Sequence, residues 1–238
     1  MDNIFKNIID WTNLNSGFLS LIIFLVTIFV GWVSGAFNAL FKKPKLKIRF
    51  IGKMSFYSFY YTGDKHFHKE LNETFDYHKT GFVVYMSIAN IGNANTTIDK
   101  IFLGYYTNGP KKYFFKDKIV WLPQWHSIEP FRIRLKDDSL LQVASLRMKD
   151  SAFDKDDKDK IEVGSSLVGA AYFEQPEAWG NLNPKQLEDN FTKVIIKIRD
   201  IYGYEYKFKT KLKSFTIEKA RKFNPHFGNA QRITETTD

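Results

Sequence analysis

The sequence contains no cysteine. That excludes a disulfide framework and a thiol nucleophile, and it leaves any zinc site with only histidine and carboxylate ligands. Histidine is scarce too, with five in 238 residues. His78, His126 and His226 fall in no triad pattern, and there is no G-x-S-x-G, H-E-x-x-H, phosphate-loop or dinucleotide fingerprint. The resulting expectation is a non-enzymatic protein with no cofactor and no metal. Two short stretches bear on that expectation. His66 and His68 in DKHFHKE share one strand face near Asp64 and Glu70, yet a spacing-two pair supplies only part of a metal's ligand set, and a polar loop edge accounts for it. DKDDKDK, beginning at Asp154, puts Lys158 fifth, Asp159 sixth and Ser165 twelfth, where a calcium loop needs an oxygen ligand, a glycine and a glutamate. A solvated loop of offsetting charges fits better.

A second absence is of charge. No charged residue occurs between Trp11 and Phe41, and the dense apolar part, Phe18 to Phe41, is 24 residues long. About 20 residues cross a ~30 Å hydrocarbon core, and a globular core helix is rarely apolar on every face. Ser34-Gly35-Ala36 would suit a signal peptidase, but the leader MDNIFKNIIDWTNLNSG has one lysine against two aspartates and lacks a basic n-region. The apolar stretch also exceeds an h-region of ~7–15 residues, so a permanent single span is expected. Trp11 and Trp32 stand near its two ends, where amphipathic rings favour the interface.

Acid is also missing just after the run. Lys42, Lys43, Lys45, Lys47, Arg49 and Lys53 follow with no acidic residue among them, whereas only Lys6 precedes the span, opposed by Asp2 and Asp10. Positive charge stays cytoplasmic, so the N-terminus is expected outside the cell's inner membrane and the rest inside. Lys42, Lys43, Lys45, Lys47 and Arg49 are expected to contact lipid headgroups, each worth on the order of 1 kcal/mol near an anionic leaflet. Within the span, Thr27, Gly31, Gly35 and Ala39 recur at four-residue steps. Small residues in one row let helix backbones approach, which predicts a homo-oligomer formed through this helix.

Aromatics are abundant, at 17% with 23 Phe and 12 Tyr, enough for a packed core. The net charge of +9 favours anionic partners. From Lys45 the dominant period is two. KLKIRFI, FRIRLK, KVIIKIRD and YKFKTKLK alternate cations with apolar residues, the pattern of half-buried strands. Further strands are expected at Met54–Tyr61, Phe82–Ala89, Thr97–Tyr105, Lys112–Phe115 and Ser139–Arg147. Turns fall at Asn90–Asn93, Thr107–Pro110 and Tyr202-Gly203, supporting hairpins. Helix is expected only in the span, near Pro184–Phe191 and at Ile217–Lys222. Loops at 107–128 and 170–190 carry Trp121, Trp125 and Trp179, either a contact surface or plugs for the ends of the fold. The fold class is mainly β: an N-terminal transmembrane helix followed by an antiparallel β-sandwich. The expected division is 1–16 as a short extracytoplasmic N-terminus and 17–41 as the span. A basic juxtamembrane segment follows at 42–53, then the sandwich at 54–214 and a C-terminal tail at 215–238.

The stretch VVYMSIANIGNANTTIDKIFL resembles the strand, Asn-x-Gly turn, strand unit of bacterial immunoglobulin-like sandwich domains, and KVIIKIRDIYGYEYKFK resembles their terminal hairpin. The resemblance covers residues 80–106 and 192–210 and is one of fold. It implies a domain that holds partners together or presents a binding surface. A single span joined to a β-rich cytosolic domain is similar in layout to membrane effectors of bacterial anti-phage systems, which implies membrane perturbation once triggered.

The strongest functional signal is a basic stripe. Lys207, Lys209, Lys211 and Lys213 lie on one strand face, with Lys193, Lys197 and Arg199 expected beside them across the Tyr202-Gly203 turn. Seven like charges on neighbouring strands repel, and blunting a sheet edge needs only one or two. Phosphate-bearing ligands would relieve that repulsion. The expected partners are therefore the bilayer, a second copy of the chain, and either a nucleic acid or nucleotide or a cytosolic protein. The alternative is a passive scaffold tethered at the membrane, its basic surface touching only lipid.

Overall fold

A computed structural model describes residues 2–35, 42–107, 118–127, 129–146, 160–175 and 182–229. The chain divides into two compact units, Met1–Lys43 and Pro44–Asp238.

The first unit is helical. α1 (Asp2–Leu14) occupies the stretch expected as a plain N-terminal extension. Ile4, Ile8 and Trp11 recur at i, i+4 and i+7 on one side, with Lys6 and Asp10 on the other, so the helix is amphipathic. The helix turns at Asn15, whose side-chain amide donates to the Trp11 carbonyl at 2.9 Å. α2 (Ser16–Val33) has a mean hydropathy of 2.3 and no buried residue. It is the one helix among the described residues long and apolar enough to cross a membrane, at about 27 Å for 18 residues. It ends at Val33, and residues 36–41 of the expected span lie outside the described residues. Gly35 takes φ +72°, the left-handed conformation that terminates helices. Thr27 and Gly31 therefore share α2, Gly35 lies past its end, and Ala39 falls outside the described residues.

The second unit is mainly β, built on one large mixed sheet. Its strands are β1 (Leu46–Phe50), β2 (Phe56–His68), β3 (Glu73–Asn90), β4 (Thr96–Tyr106), β5 (Ile119–Pro123), β8 (Lys160–Ile161), β9 (Ser166–Glu174), β10 (Phe191–Asp200) and β11 (Glu205–Ser214). A separate pair is formed by β6 (Phe131–Arg134) and β7 (Leu140–Val143). The order in the large sheet is β1-β3-β2-β11-β10-β4-β5, with β8 on β4 and β9 on β3. One junction departs from the antiparallel expectation: β11 runs parallel to β2, through Lys213 opposite Phe56 and Ser214 opposite Tyr57.

Two apolar clusters explain why the sheet closes. Leu46, Phe82, Val84, Ile101, Leu103, Leu122, Phe173, Ile196 and Leu212 meet in one cluster, drawn from strands across the whole order, so the sheet curls around a common interior. On the opposite face of β2, β3 and β9, Phe56, Val83 and Tyr172 pack with Phe131, Val143, Ala220 and Phe227. That second cluster sandwiches β3 and β9 between apolar layers. Strands buried on both faces lose the period-two signature, which is why β9 (SLVGAAYFE), buried throughout from Gly169 to Glu174, appears where a loop was expected; β5 (IVWLP) also falls in an expected loop.

The Asn90–Asn93 turn does not make a hairpin, because β3 and β4 do not pair with one another. It crosses between parts of the sheet. Buried Asn90 secures the crossing: its amide donates to the carbonyls of Ala94 (2.7 Å) and Ile161 (3.1 Å), and its oxygen accepts from Gly92 N (3.0 Å) and Lys45 N (3.3 Å). β4 and β5 do pair antiparallel, while the Lys112–Phe115 strand lies outside the described residues. Near Pro184–Phe191 there is only a single 3₁₀ turn at Glu188–Asn190. Beyond Tyr61, β2 and β3 continue as a two-stranded ribbon with exposed Phe67, Leu71 and Phe75.

The segment expected as a tail from residue 215 is partly packed. α3 (Ile217–Arg221) is N-capped by Thr216, whose hydroxyl accepts from Lys219 N at 3.3 Å. Phe227 is 1% exposed, its ring centroid 5.7 Å from Phe56 and 5.4 Å from Tyr172. Three phenylalanines in thirteen residues (Phe215, Phe223 and Phe227) supply the apolar area that holds this segment down.

Candidate anion-binding face

The β10–β11 hairpin is fixed at its turn by a buried carboxylate. Asp200 Oδ1 accepts from Tyr202 N (3.0 Å) and Tyr204 N (2.9 Å), and Tyr206 Oη lies 3.1 Å from Oδ2 and 2.9 Å from the Pro44 carbonyl. Burial first, and then the Asp200 charge, hold the Tyr206 phenol above its ordinary value. Gly203 takes φ +84°, which suits glycine alone in a tight return.

With the turn fixed, register follows. Lys193 faces Lys211, Ile195 faces Lys209, and Lys197 faces Lys207. Directly opposed residues share a face, so Lys193, Lys197, Lys207, Lys209, Lys211 and Lys213 line the outer side. Val194, Ile196, Ile198 and Leu212 point into the core.

Three of the seven expected cations are already partnered. Arg199 Nε donates to Asp99 Oδ2 at 2.7 Å, Lys197 Nζ to Glu205 Oε1 at 3.2 Å, and Lys207 Nζ lies 3.8 Å from Glu205 Oε2. No acid pairs with Lys193, Lys209, Lys211 or Lys213 among the described residues. The unneutralised field therefore contracts to these four, with Lys193 and Lys211 directly opposed.

Lys193 also opens onto a cleft of about 300 Å³ that it shares with Tyr106, Lys185 and Leu187. The segment carrying Lys185 is tied to the sheet: Lys185 N donates to the Tyr106 carbonyl at 2.7 Å, and Thr192 Oγ1 donates to the Lys185 carbonyl at 3.0 Å. A wider depression of about 660 Å³ is lined by Leu187, Phe191, Lys193 and Lys211 together with the acids Glu188 and Asp189. Sequence reasoning missed Tyr106 and Lys185, because Lys185 sits in an aperiodic loop after Pro184.

The other flagged residues scatter. Lys42, Lys43, Lys45, Lys47 and Arg49 are all exposed, with Lys47 and Arg49 on the outer face of β1. Trp121 is 39% exposed and Trp125 is half-buried. Trp179 and the Asp154–Asp159 cluster fall outside the described residues. His66 and His68 lie on the ribbon opposite Phe75 and Glu73. No three metal-binding side chains converge among the described residues. A buried acid, Glu174, accepts from the Tyr172 hydroxyl at 2.7 Å and lies 3.7 Å from Lys79 Nζ, while Gly228 N donates to the Tyr172 oxygen at 3.1 Å. Burial, then the Glu174 charge, raises the Tyr60 and Tyr172 phenols. This network clamps the C-terminal segment to the sheet.

No protein-family model matches the chain, and no curated protein matches it. Among solved structures it is similar to an X-ray structure described only as a Northeast Structural Genomics Consortium target. The identity is 10%, the match covers 72% of this chain and 85% of that one, and the TM-score is 0.26.

Proposed function

We propose that the chain is a membrane-anchored, self-associating, non-enzymatic receptor or effector, and that the outer face of the β10–β11 hairpin binds a phosphate-rich anion. In this reading α2 is a permanent inner-membrane span, the N-terminus is outside, and the second unit is a cytosolic immunoglobulin-like sandwich. The supporting observation is the set of four lysines, Lys193, Lys209, Lys211 and Lys213, held in register without acidic partners among the described residues, beside a cleft that adds Lys185. A surface under structural selection alone gains nothing from opposing Lys193 to Lys211. Phosphates would neutralise that repulsion and release counterions. Perturbation of the membrane on ligand binding is the effector role consistent with this layout.

The passive-scaffold reading is favoured by one feature, the exposed juxtamembrane set Lys42 to Arg49 that adjoins the apolar helix in sequence. One experiment separates the two. Changing Lys193, Lys209, Lys211 and Lys213 to glutamine in the detergent-solubilised full chain should weaken binding of a labelled single-stranded oligonucleotide. The log–log salt slope should flatten by roughly 0.7 per lost phosphate contact. Glutamine at Lys42, Lys43, Lys45, Lys47 and Arg49 should reduce anionic-vesicle binding instead. Unchanged oligonucleotide affinity in the hairpin variant, measured at ~0.15 M salt, would favour the scaffold.

A further inference from the structure

Trp121 sits on β5, and register carries it onto the lysine face. Trp121 pairs with Gly104, Gly104 with Ile195, and Ile195 with Lys209, each directly opposed in an antiparallel ladder. All four positions therefore share one side of the sheet. A Cβ built on Gly104 would lie 2.9, 2.9 and 3.0 Å from Cε3, Cζ3 and Cη2 of the indole. Near-equal distances to three consecutive ring atoms place Gly104 under the face of the ring, not at its edge. One indole face thus rests on the sheet, and the 39% of Trp121 that remains exposed is turned outward.

The ring also has a cation lying over it. Lys197 Nζ lies 5.1 Å from the Trp121 ring centroid and 4.9 Å from that of Phe102, while it is hydrogen-bonded to Glu205. Lys197 is therefore committed to steadying aromatic rings, which leaves the phosphate contacts to its neighbours. Lys209, Lys211 and Lys213 follow one another at about 6.8 Å along β11, a ladder suited to a repeating phosphate chain. Three strand spacings, roughly 14 Å between backbones, separate Trp121 from Lys209.

We infer that the anion recognised on this face is a single-stranded oligonucleotide, with one base stacked on the exposed part of the Trp121 ring beside the Lys197 ammonium and its phosphates along Lys193, Lys209 and Lys211. The inference rests on the anion-binding reading above and deepens it. An aromatic platform sharing a sheet face with unpaired cations is how sequence-tolerant single-strand binding is built, because every base has a π-face. A lipid headgroup has no aromatic ring to stack, and a duplex hides the faces of its bases.

The test compares two polyanions on the detergent-solubilised full chain: a labelled oligodeoxythymidylate and inorganic polyphosphate of matched charge. Trp121→Leu should weaken oligonucleotide binding about 5- to 150-fold and leave polyphosphate affinity within about twofold. Trp121→Phe, which keeps a stackable ring, should recover most of the loss, and this variant guards against a folding defect in the leucine form. The four-lysine glutamine variant should weaken both polyanions. Equal binding of the two by the native chain, with no effect of Trp121→Leu on either, would overturn base stacking while the anion site stands. Binding of anionic vesicles but not of oligonucleotide would overturn it in favour of a lipid surface. Binding of neither polyanion nor vesicles would remove the anion site itself.

Discussion

Gly81 and Phe227 offer a sharp test of how the C-terminal segment closes the second unit. Gly81 lies on β3 with the Phe227 ring directly over it: a Cβ at residue 81 would stand 2.6 Å from Cζ and 3.0 Å from Cε1. Gly81→Ala therefore forces the ring outward, against Phe56, Tyr60 and Tyr172, whose centroids lie 5.7, 6.1 and 5.4 Å away. Overpacking of this kind costs about 1–3 kcal/mol. Phe227→Leu removes part of a buried ring. Since Phe→Ala costs about 3–5 kcal/mol, the shorter truncation should cost about 1–2 kcal/mol. The leucine leaves room for the new methyl, so the double variant should be more stable than the sum of the single losses predicts, by about 1–2 kcal/mol. Urea unfolding of the full chain in detergent, read by tryptophan fluorescence, yields all four corners of the cycle. Additivity within about 0.5 kcal/mol would refute the contact, and with it the account of residues 215–229 as a packed closure.

Three further outcomes follow from other parts of the molecule. A reporter active only in the cytoplasm, fused after Asp238, should be active, because the basic flank follows the apolar helix; activity of a periplasmic reporter alone would reverse the topology. Gly31→Leu should lower the oligomer mass in detergent, whereas Gly35→Leu, past the helix end at φ +72°, should act by disturbing that end; unchanged mass in both would move assembly out of α2. Tyr60, Tyr105 and Tyr172 are buried with raised phenol values, so the folded state holds their protons more tightly than the unfolded state does. Their contribution is intact below about pH 10, where free tyrosine ionises, and is lost as pH rises further. The urea midpoint should fall above that pH, less steeply in Tyr105→Phe, and a flat profile to pH 11 would count against this linkage.

The period-two stretches were legible because one face is wet and the other dry, and Lys207, Lys209, Lys211 and Lys213 are exposed as their alternation implied. The strength of the field was not legible. Arg199 is neutralised by Asp99, 100 residues earlier in the chain, and Glu205 faces Arg199 across the turn, where only the register shows that it also meets Lys197 and Lys207. β9 was hidden for the opposite reason: Gly169 to Glu174 are buried on both faces, so no alternation survives. The parallel junction of β11 with β2 left no trace in either strand, since two residue pairs impose no pattern.

The place of β10 and β11 in the sheet has a consequence for biosynthesis. They are the last strands made, yet they lie between β2 and β4, and β2 and β4 do not pair with each other. Until Ser214 has left the ribosome, the inner edges of both halves stay open and the main cluster lacks Val194, Ile196, Ile198 and Leu212. At about 5–20 residues per second, roughly 10–40 s pass between the emergence of α2 and that of the strands that join the halves. The apolar helix can therefore be captured by a membrane before the β-rich unit has closed, and the growing chain needs its open edges shielded throughout that interval.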